Sequence, residues 1–157
     1  MIHCVYGHDA EVASWVGFQI GVKDFGKCVA IGIANNQQII GGAVYSHFYN
    51  DQWGKPLSIE MAFATIDKRW AIRGIISQLL DYPFGQLNVE RVQLTTMKRN
   101  KEVRRFVERL GFKLEGIARK AHHTRTDACL YSLLRNEWNE STWAKVHLQH
   151  RQHQIRT

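Results

Sequence analysis

Residues 65–76 read Thr-Ile-Asp-Lys-Arg-Trp-Ala-Ile-Arg-Gly-Ile-Ile, and this segment is the most informative part of the chain. It continues a predicted strand over 57–66, in which large apolar side chains alternate with small or polar ones. The pattern then predicts a turn over 67–73 and a helix that begins at Gly74. At such a junction several backbone N–H groups and the positive end of the helix dipole point at one spot. The stretch is therefore typical of a pyrophosphate-binding loop.

Outward from this junction, hydrophobic periodicity predicts strands at 2–6, 28–34, 38–48, 92–97, 112–118 and 128–134. Helices are predicted over 10–20, capped by Asp9, and from Asn100 to a stop at Gly111. The order β-α-β-β-β-α-β-α-β-β predicts a mixed α/β sandwich. We expect one domain over 1–140 and a basic, His-rich tail over 141–157, predicted to be a helix followed by a loose end.

Composition narrows the class of protein. The 157 residues are 45% hydrophobic and 22% charged, which suits one globular domain with a core. No apolar run approaches the roughly 18 residues that span a bilayer, and no secretory signal is recognisable, so no membrane partner is expected. Three widely separated cysteines argue against a disulfide framework and favour the cytoplasm. No metal site is predicted, and His147, His150 and His153 are interpreted as solvated.

The net charge of +7 is concentrated in the last third of the chain. Residues 1–97 hold seven Lys and Arg against eight Asp and Glu, whereas residues 98–157 hold fourteen against six. A basic region of this kind can attract nucleic acid or a phosphate-rich cofactor. The alternative is a solvated surface that serves only solubility.

Three further segments follow residues 65–76 in a fixed order. Asn100 is followed eleven positions later by Gly111-Phe112, residues 110–116 read Leu-Gly-Phe-Lys-Leu-Glu-Gly, and residues 127–134 form an apolar strand behind an aspartate. Together the segments resemble the GNAT family of acyl-CoA-dependent N-acetyltransferases over roughly residues 57–138. Within it they are similar to the branch that acetylates ribosomal-protein N-termini and to the small GNAT proteins carried by phages and prophages.

The resemblance implies an α/β GNAT fold, with a mostly antiparallel mixed sheet of about seven strands that acyl-CoA splays apart and helices on both faces. It implies that the pantetheine pairs with the backbone of Phe63, Ala64 and Thr65. The pyrophosphate would bind the amides of the loop and first helical turn: Ala71, Ile72, Arg73, Gly74, Ile75 and Ile76. Asn100 would contact the cofactor near its pantetheine end. Arg104, together with Arg73 and Arg105, would meet its phosphates or would form a solvated face.

The chain departs from the family pattern at four positions. Ala71 stands where the loop normally has Gln or Arg, and Ile76 stands where it has Gly or Ala, so Ile76 is expected to crowd the cofactor. Val107 and Val103 occupy the positions at which family members carry a tyrosine or a serine that protonates the leaving thiolate. Catalysis is therefore expected to depend on positioning and on a backbone oxyanion contact.

Glu60 is the predicted general base, because Ser58, Ala62 and Ala64 share its strand face and leave space beside the carboxylate. The alternative is a carboxylate that pairs with an arginine and only holds the sheet. His122, with His123 beside it, is a candidate proton donor on one lip of the acceptor site, or part of an exposed loop. Tyr45, His47 and Tyr49 either shape the acceptor pocket or fill a strand.

We therefore expect an enzyme that moves the acetyl group of acetyl-CoA, its co-substrate, to a primary amine by direct attack in a ternary complex. The acceptor could be a protein N-terminus, a lysine or a small amine. One alternative is acetylation of nucleic acid, as an aminoacyl-tRNA or a base. Another is a catalytically silent protein that binds CoA or a related ligand. The chain is expected to act as a monomer or a homodimer.

Overall fold

The computed structural model of the protein describes residues 1–144. Seven strands form one sheet in the order β1-β2-β3-β4-β5-β7-β6. Their bounds are Ile2–Val5 (β1), Cys28–Asn35 (β2), Gln38–Asn50 (β3), Pro56–Thr65 (β4), Arg91–Met97 (β5), Lys113–Ala118 (β6) and Ala128–Leu134 (β7). Neighbouring strands are antiparallel except β4 and β5, which are parallel. The predicted mixed α/β fold with a seven-stranded sheet is confirmed.

Four helices cover the sheet: Asp9–Ile20 (α1), Arg73–Asp81 (α2), Lys101–Arg109 (α3) and Arg135–Glu140 (α4). A 3-10 turn at Lys68–Trp70 precedes α2, and a π-helical turn at Tyr82–Gln86 follows it. Helix α1 packs with Val44 and Ala64 on one face of the sheet, and α2 and α3 lie over the main core on the other. Helix α4 was not predicted. It follows β7 directly and buries Trp138 against Phe84.

Two helix starts were predicted from capping residues, with different outcomes. The Asn100 side chain accepts a hydrogen bond from the Val103 amide at 3.3 Å and caps α3 as expected. Asp9 does not cap α1, because its carboxylate accepts a hydrogen bond from the Ala30 amide of β2 at 3.1 Å. The Asp9 side chain therefore joins the first turn of α1 to the sheet and does not cap the helix.

Contacts with the core continue past the predicted domain boundary at residue 140, which stays a prediction. The Ser77 hydroxyl of α2 donates to the carbonyl of Trp143 at 2.8 Å, and Ala144 is buried. The rest of the predicted tail, 145–157, lies outside the described residues, as do His147, His150 and His153. No helix within residues 1–144 is long and apolar enough to cross a membrane.

Candidate functional site

The two parallel strands at the centre of the sheet separate along their length. Pairing between β4 and β5 joins Ser58 to Arg91, Ile59 to Val92 and Glu60 to Gln93. Beyond Glu60 and Gln93 the two strands continue to Thr65 and Met97 without pairing to each other. Since every backbone N–H and C=O is an obligatory hydrogen-bonding group, this edge of β4 is open to an extended ligand. The unpaired part of β4 includes Phe63, Ala64 and Thr65, whose backbone the family resemblance assigns to the pantetheine.

A cleft of about 880 Å³ occupies this opening. Its walls come from β3, β4, β5, the start of α3, the segment between α1 and β2, and the loop between β6 and β7. Its lining residues are Gln19, Ile20, Val22, Asp24, Phe25, Gly26, Ser46, His47, Glu60, Met61, Ala62, Phe63, Leu94, Thr95, Thr96, Met97, Asn100, Val103, Ala121, His122, His123 and Thr124. Among these described residues the carboxylates are Asp24 and Glu60, and none is Lys or Arg.

Three aromatic rings join β4 to α3 on the core side of the opening. Phe63 lies 5.8 Å from Trp70 and 5.7 Å from Phe106 between ring centroids, and Trp70 lies 5.2 Å from Phe106. Aromatic pairs of this kind contribute about 0.5–1.5 kcal/mol each beyond their burial. The rings pack β4 against α3, and β4 and β5 remain unpaired at this level. Trp70 is buried in this packing.

The first turn of α2 offers three backbone donors. Within residues 1–144 the amides of Arg73, Gly74 and Ile75 have no hydrogen-bond partner, as expected for the start of a helix. The predicted loop amides on either side are already engaged: Ala71 N donates to Lys68 O, Ile72 N to Trp70 O and Ile76 N to Ile72 O. A phosphate at this loop would therefore meet the amides of 73–75 rather than those of all six predicted residues.

Ile76 does not crowd this helix start, contrary to expectation. Its side chain is 3% exposed and packs in the core beneath α2, among Met61, Leu79 and Phe106. The helical turn directs it toward the sheet, so a β-branched residue here leaves the outer face of the turn free. Arg73 stays exposed, with its guanidinium 5.8 Å from the ring centroid of Trp143.

Asn100 and Arg104 lie at the start of α3, but only Asn100 lines the cleft. Because the Asn100 carbonyl oxygen caps the helix, its amide nitrogen is the group left to face a ligand. The Arg104 guanidinium donates to the Tyr131 hydroxyl at 3.0 Å and to the Lys98 carbonyl at 3.0 Å. Arg104 thus ties α3 to β7 and to the end of β5. Arg105 is exposed on the outer surface of α3.

Arg104 also borders a basic surface outside the cleft, which we call the basic patch. Its volume is about 540 Å³, and its cations are Lys98, Arg99, Lys101, Arg104, Lys120 and Arg125. The one carboxylate among its described residues, Asp127, accepts a hydrogen bond from the backbone amide of Lys120. The patch therefore presents a strongly positive surface beside the β6–β7 loop.

Glu60 lies in the cleft at the point where β4 and β5 part. Its side chain is 32% exposed, and its Oε2 lies 3.2 Å from Nδ1 of His47. The partner is thus a histidine rather than the arginine of the alternative interpretation. The same Nδ1 lies 3.1 Å from the Ser46 hydroxyl, and Ser46 is 4% exposed. Because both contacts use one ring nitrogen, the three residues do not form a nucleophile relay, which needs the two nitrogens separately.

His122 and His123 line the cleft from the β6–β7 loop, as predicted for a lip. Their rings lie 4.3 Å apart, and Nδ1 of His122 is 2.7 Å from the Thr124 hydroxyl. Partial burial lowers the pKa of His122 below its ordinary value, and the neighbouring charges of His123 and Arg99 lower it further. His122 is therefore biased toward its neutral form.

The strand alternation of Tyr45, His47 and Tyr49 does not place them together. Tyr45 is fully buried under α2, where its hydroxyl donates to the Leu79 carbonyl at 2.5 Å. Tyr49 is 64% exposed near the end of β3 and does not line the cleft. His47 alone reaches the cleft, so the acceptor-pocket interpretation is wrong for Tyr45.

Sequence reasoning missed the wall made by the segment between α1 and β2. This segment contributes Asp24 and Phe25 to the cleft. The Asp24 carboxylate accepts a hydrogen bond from the Gly26 amide at 2.7 Å, and Gly26 has a positive φ of 69°. An aspartate two residues before a glycine is a turn signal. That signal was available, but nothing local indicates that the turn faces the cleft.

The splayed sheet, the order of its strands and the helices on both faces define the fold of the GNAT acetyltransferases. Solved structures share this fold. The ribosomal-protein-S5-alanine acetyltransferase from Vibrio fischeri is 18% identical, with a TM-score of 0.61 over 82% of this chain and 69% of that one. Mutant forms of the spermidine/spermine N-acetyltransferase SpeG from Vibrio cholerae are 13% identical, with a TM-score of 0.69 over 90% and 99%. No protein-family model and no curated protein sequence matches the chain.

Proposed function

We propose that the protein is an N-acetyltransferase that uses acetyl-CoA to acetylate a primary amine. One observation carries the proposal: pairing between β4 and β5 ends at Glu60, and the unpaired remainder of β4 leads through the turn at 66–72 to the three unpartnered amides at the start of α2. A phosphate-bearing acyl donor needs anion-binding amides and an amine needs a base, and here a single strand connects the two. The acetyltransferase fold supports the same activity.

The residues at the opening fit acetyl-CoA. The unpaired edge of β4 at Phe63, Ala64 and Thr65 offers backbone groups to the pantetheine, and the amides of 73–75 would hold the pyrophosphate. Asn100 would donate its side-chain amide from the other side of the cleft. Arg104 is fixed by Tyr131, and Arg73 is the exposed cation nearest the helix start. When bound, acetyl-CoA supplies a thioester carbonyl that an amine can attack.

Charge in the cleft favours a cationic acceptor. Asp24 and Glu60 can attract an ammonium group, and no Lys or Arg among the lining residues of 1–144 opposes it. An acceptor with a carboxylate beside its amine, such as a free amino acid, would find no cation there. A polyamine, a lysine side chain or a peptide N-terminus fits better. The similarity to the ribosomal-protein and phage branches remains a prediction.

Glu60 would take the proton that the ammonium must lose before nitrogen attacks. The N–H bond breaks, its electron pair stays on nitrogen, and the proton joins a carboxylate oxygen, directly or through a water. The new carbon–nitrogen bond would replace the carbon–sulfur bond, whose electron pair stays on sulfur. His122, which is biased toward its neutral form, would relay a proton to that sulfur, accepting one proton at one ring nitrogen and releasing the other. Val107, at the family tyrosine position, has a hydrocarbon side chain and is fully buried, so it cannot do so. Val103 lines the cleft and helps to exclude water.

A second acceptor class is favoured by the basic patch. The patch shares the β6–β7 loop with the lip of the cleft, so a polyanion bound there would bring its end near the mouth. An amine carried on nucleic acid, as in an aminoacyl-tRNA, combines a positive ammonium group, which suits the cleft, with negative phosphates, which suit the basic patch. Binding that weakens steeply with salt would support this acceptor.

The test combines calorimetry with acetyl-CoA and mass spectrometry of a panel of amines. The panel contains spermidine, a peptide with a free N-terminus, an N-terminally blocked lysine peptide and an aminoacyl-tRNA. Acetyl-CoA binding together with one acetylated amine is the expected result. Binding without any transfer would identify a silent CoA-binding protein, and absence of binding would refute the proposal.

A further inference from the structure

A β-bulge in β3 sets the position of His47. Ser46 pairs with Glu60, but the next pair joins Tyr49 to Ser58, so β3 advances three residues while β4 advances two. His47 lies in the bulge and has a φ of 53°. A non-glycine residue in this left-handed region is uncommon, and its backbone is strained. Bulges concentrate where a strand must redirect a side chain, often beside active sites.

Without the bulge, His47 would share the face of Tyr45, which is buried under α2. With it, the imidazole turns to the face that Ser46 and Glu60 share, at the edge of the cleft. The His47 side chain is 71% exposed, whereas that of Glu60 is 32% exposed. The pair thus spans from the cleft to solvent.

The other polar groups around Glu60 are engaged elsewhere or lie across the cleft. On the adjacent strand the Gln93 side chain accepts hydrogen bonds from Arg91, and Arg91 also pairs with Glu115. Asp24 faces the cleft from the α1–β2 segment, and His122 and His123 face it from the β6–β7 loop. In the described part of the chain, His47 is the only basic side chain within 4 Å of the Glu60 carboxylate.

We propose that His47 is a positioning residue for Glu60 in acetyl transfer. Its Nδ1–H donates to Oε2 of the carboxylate, which fixes the rotamer and leaves Oε1 for the ammonium group of the acceptor. Ser46 supports the imidazole from within the sheet, through its hydroxyl oxygen. This inference rests on the proposed function, because it assigns the residue that orients the general base.

Three substitutions at one position separate this role from simple packing. His47→Asn places an amide N–H near the position of Nδ1, tolerates positive φ and cannot titrate near neutral pH. His47→Ala removes the donor and keeps the strain, whereas His47→Gly removes the donor and relieves the strain. We expect kcat to fall about tenfold in the Ala and Gly variants, as for a lost hydrogen bond of roughly 1.4 kcal/mol, and to recover in the Asn variant. The KM for acetyl-CoA should stay unchanged in all three.

The contact is measured separately from activity, by ¹⁵N NMR of the His47 ring in the wild type and in Glu60→Ala. A hydrogen bond from Nδ1–H to the carboxylate should favour the Nδ1–H tautomer, and removal of that acceptor should shift the ring toward the Nε2–H tautomer. An unchanged spectrum would overturn the pairing, and full activity of His47→Ala would overturn the positioning role. Asn and Ala variants equally inactive would also overturn it, since a hydrogen-bond donor would then not suffice. A changed spectrum in a protein that acetylates no amine would refute the proposed function and, with it, the role in catalysis, but not the pairing.

Discussion

The ring of His123 lies against Gly21, so that the end of α1 and the β6–β7 loop meet across the mouth of the cleft. A Cβ atom placed on Gly21 would lie 3.4 Å from Cε1 of His123. Gly21 also has a φ of 79° and ends α1 in the left-handed conformation that favours glycine. Gly21 is therefore required by the backbone conformation that ends α1, and the His123 ring packs beside this helix end, where a Cβ atom would make only an ordinary van der Waals contact.

The partial burial of His122 in the loop beside this contact predicts a pH dependence of stability. Because the pKa of His122 is lowered in the folded protein, the unfolded chain binds that proton more readily. The contribution of His122 to stability is complete above its ordinary pKa of 6.5 and is lost as pH falls through the lower folded value. The free energy of unfolding, measured with urea between pH 7.5 and pH 5, should fall less in His122→Asn than in the wild type. An identical loss in both proteins would assign the pH dependence to other groups.

Gly74→Glu should abolish stabilisation by acetyl-CoA without harming the fold. A carboxylate in the first turn of α2 interacts favourably with the helix dipole, by about 0.3–1 kcal/mol, so the free protein should melt no lower. The same charge would repel a pyrophosphate at the amides of 73–75. Gly116→Glu is the matched control, because Gly116 lies on the exposed strand β6 with open space around it. Thermal shifts with acetyl-CoA that are equal in both variants would place the cofactor elsewhere.

Glu60→Gln should lower turnover by roughly 10²–10⁴ with little change in acetyl-CoA affinity, which is typical of a lost general base. The amide keeps the shape of the side chain but cannot accept the proton. Glu115→Gln changes a carboxylate on the exposed strand β6 and should keep activity within about twofold, as a substitution outside the cleft. The measurement is steady-state kinetics of the wild type and both variants with a verified acceptor. Full activity of Glu60→Gln would leave positioning as the main source of catalysis.

Two truncations test where the folded core ends. Removal of 146–157 should leave the melting temperature nearly unchanged, as the tail composition predicts. Removal of 141–157 takes away the Ser77–Trp143 hydrogen bond and the buried Ala144, and should cost about 1–3 kcal/mol. Differential scanning calorimetry of both proteins gives the answer. A large loss in the shorter truncation would mean that residues beyond 145 pack on the core.

Local patterns predict the seven strands and three of the four α-helices within residues 1–144, in the correct order. Strand alternation, the Asn100 cap and the Gly111 stop are local signals, since periodicity and capping depend on residues only a few positions apart. The element bounds agree to within one or two residues for β4, β5, β7 and α3. The opening beside β4 was not a local signal: it was implied by the family resemblance of the motif at the end of β4.

Which side chains reach the cleft depends on tertiary packing. The direction of Ile76 depends on how α2 packs on the sheet, and the use of Asp9 depends on Ala30 of β2, which is 21 residues away. His47 is the clearest case, because alternation alone assigns it to the buried face of Tyr45. The bulge that reverses it arises from the pairing register of β3 with β4, between Ser46 paired with Glu60 and Tyr49 paired with Ser58, which is a relation between separate strands. A register shift of one residue exchanges the two faces of a strand, and no local pattern in β3 encodes it.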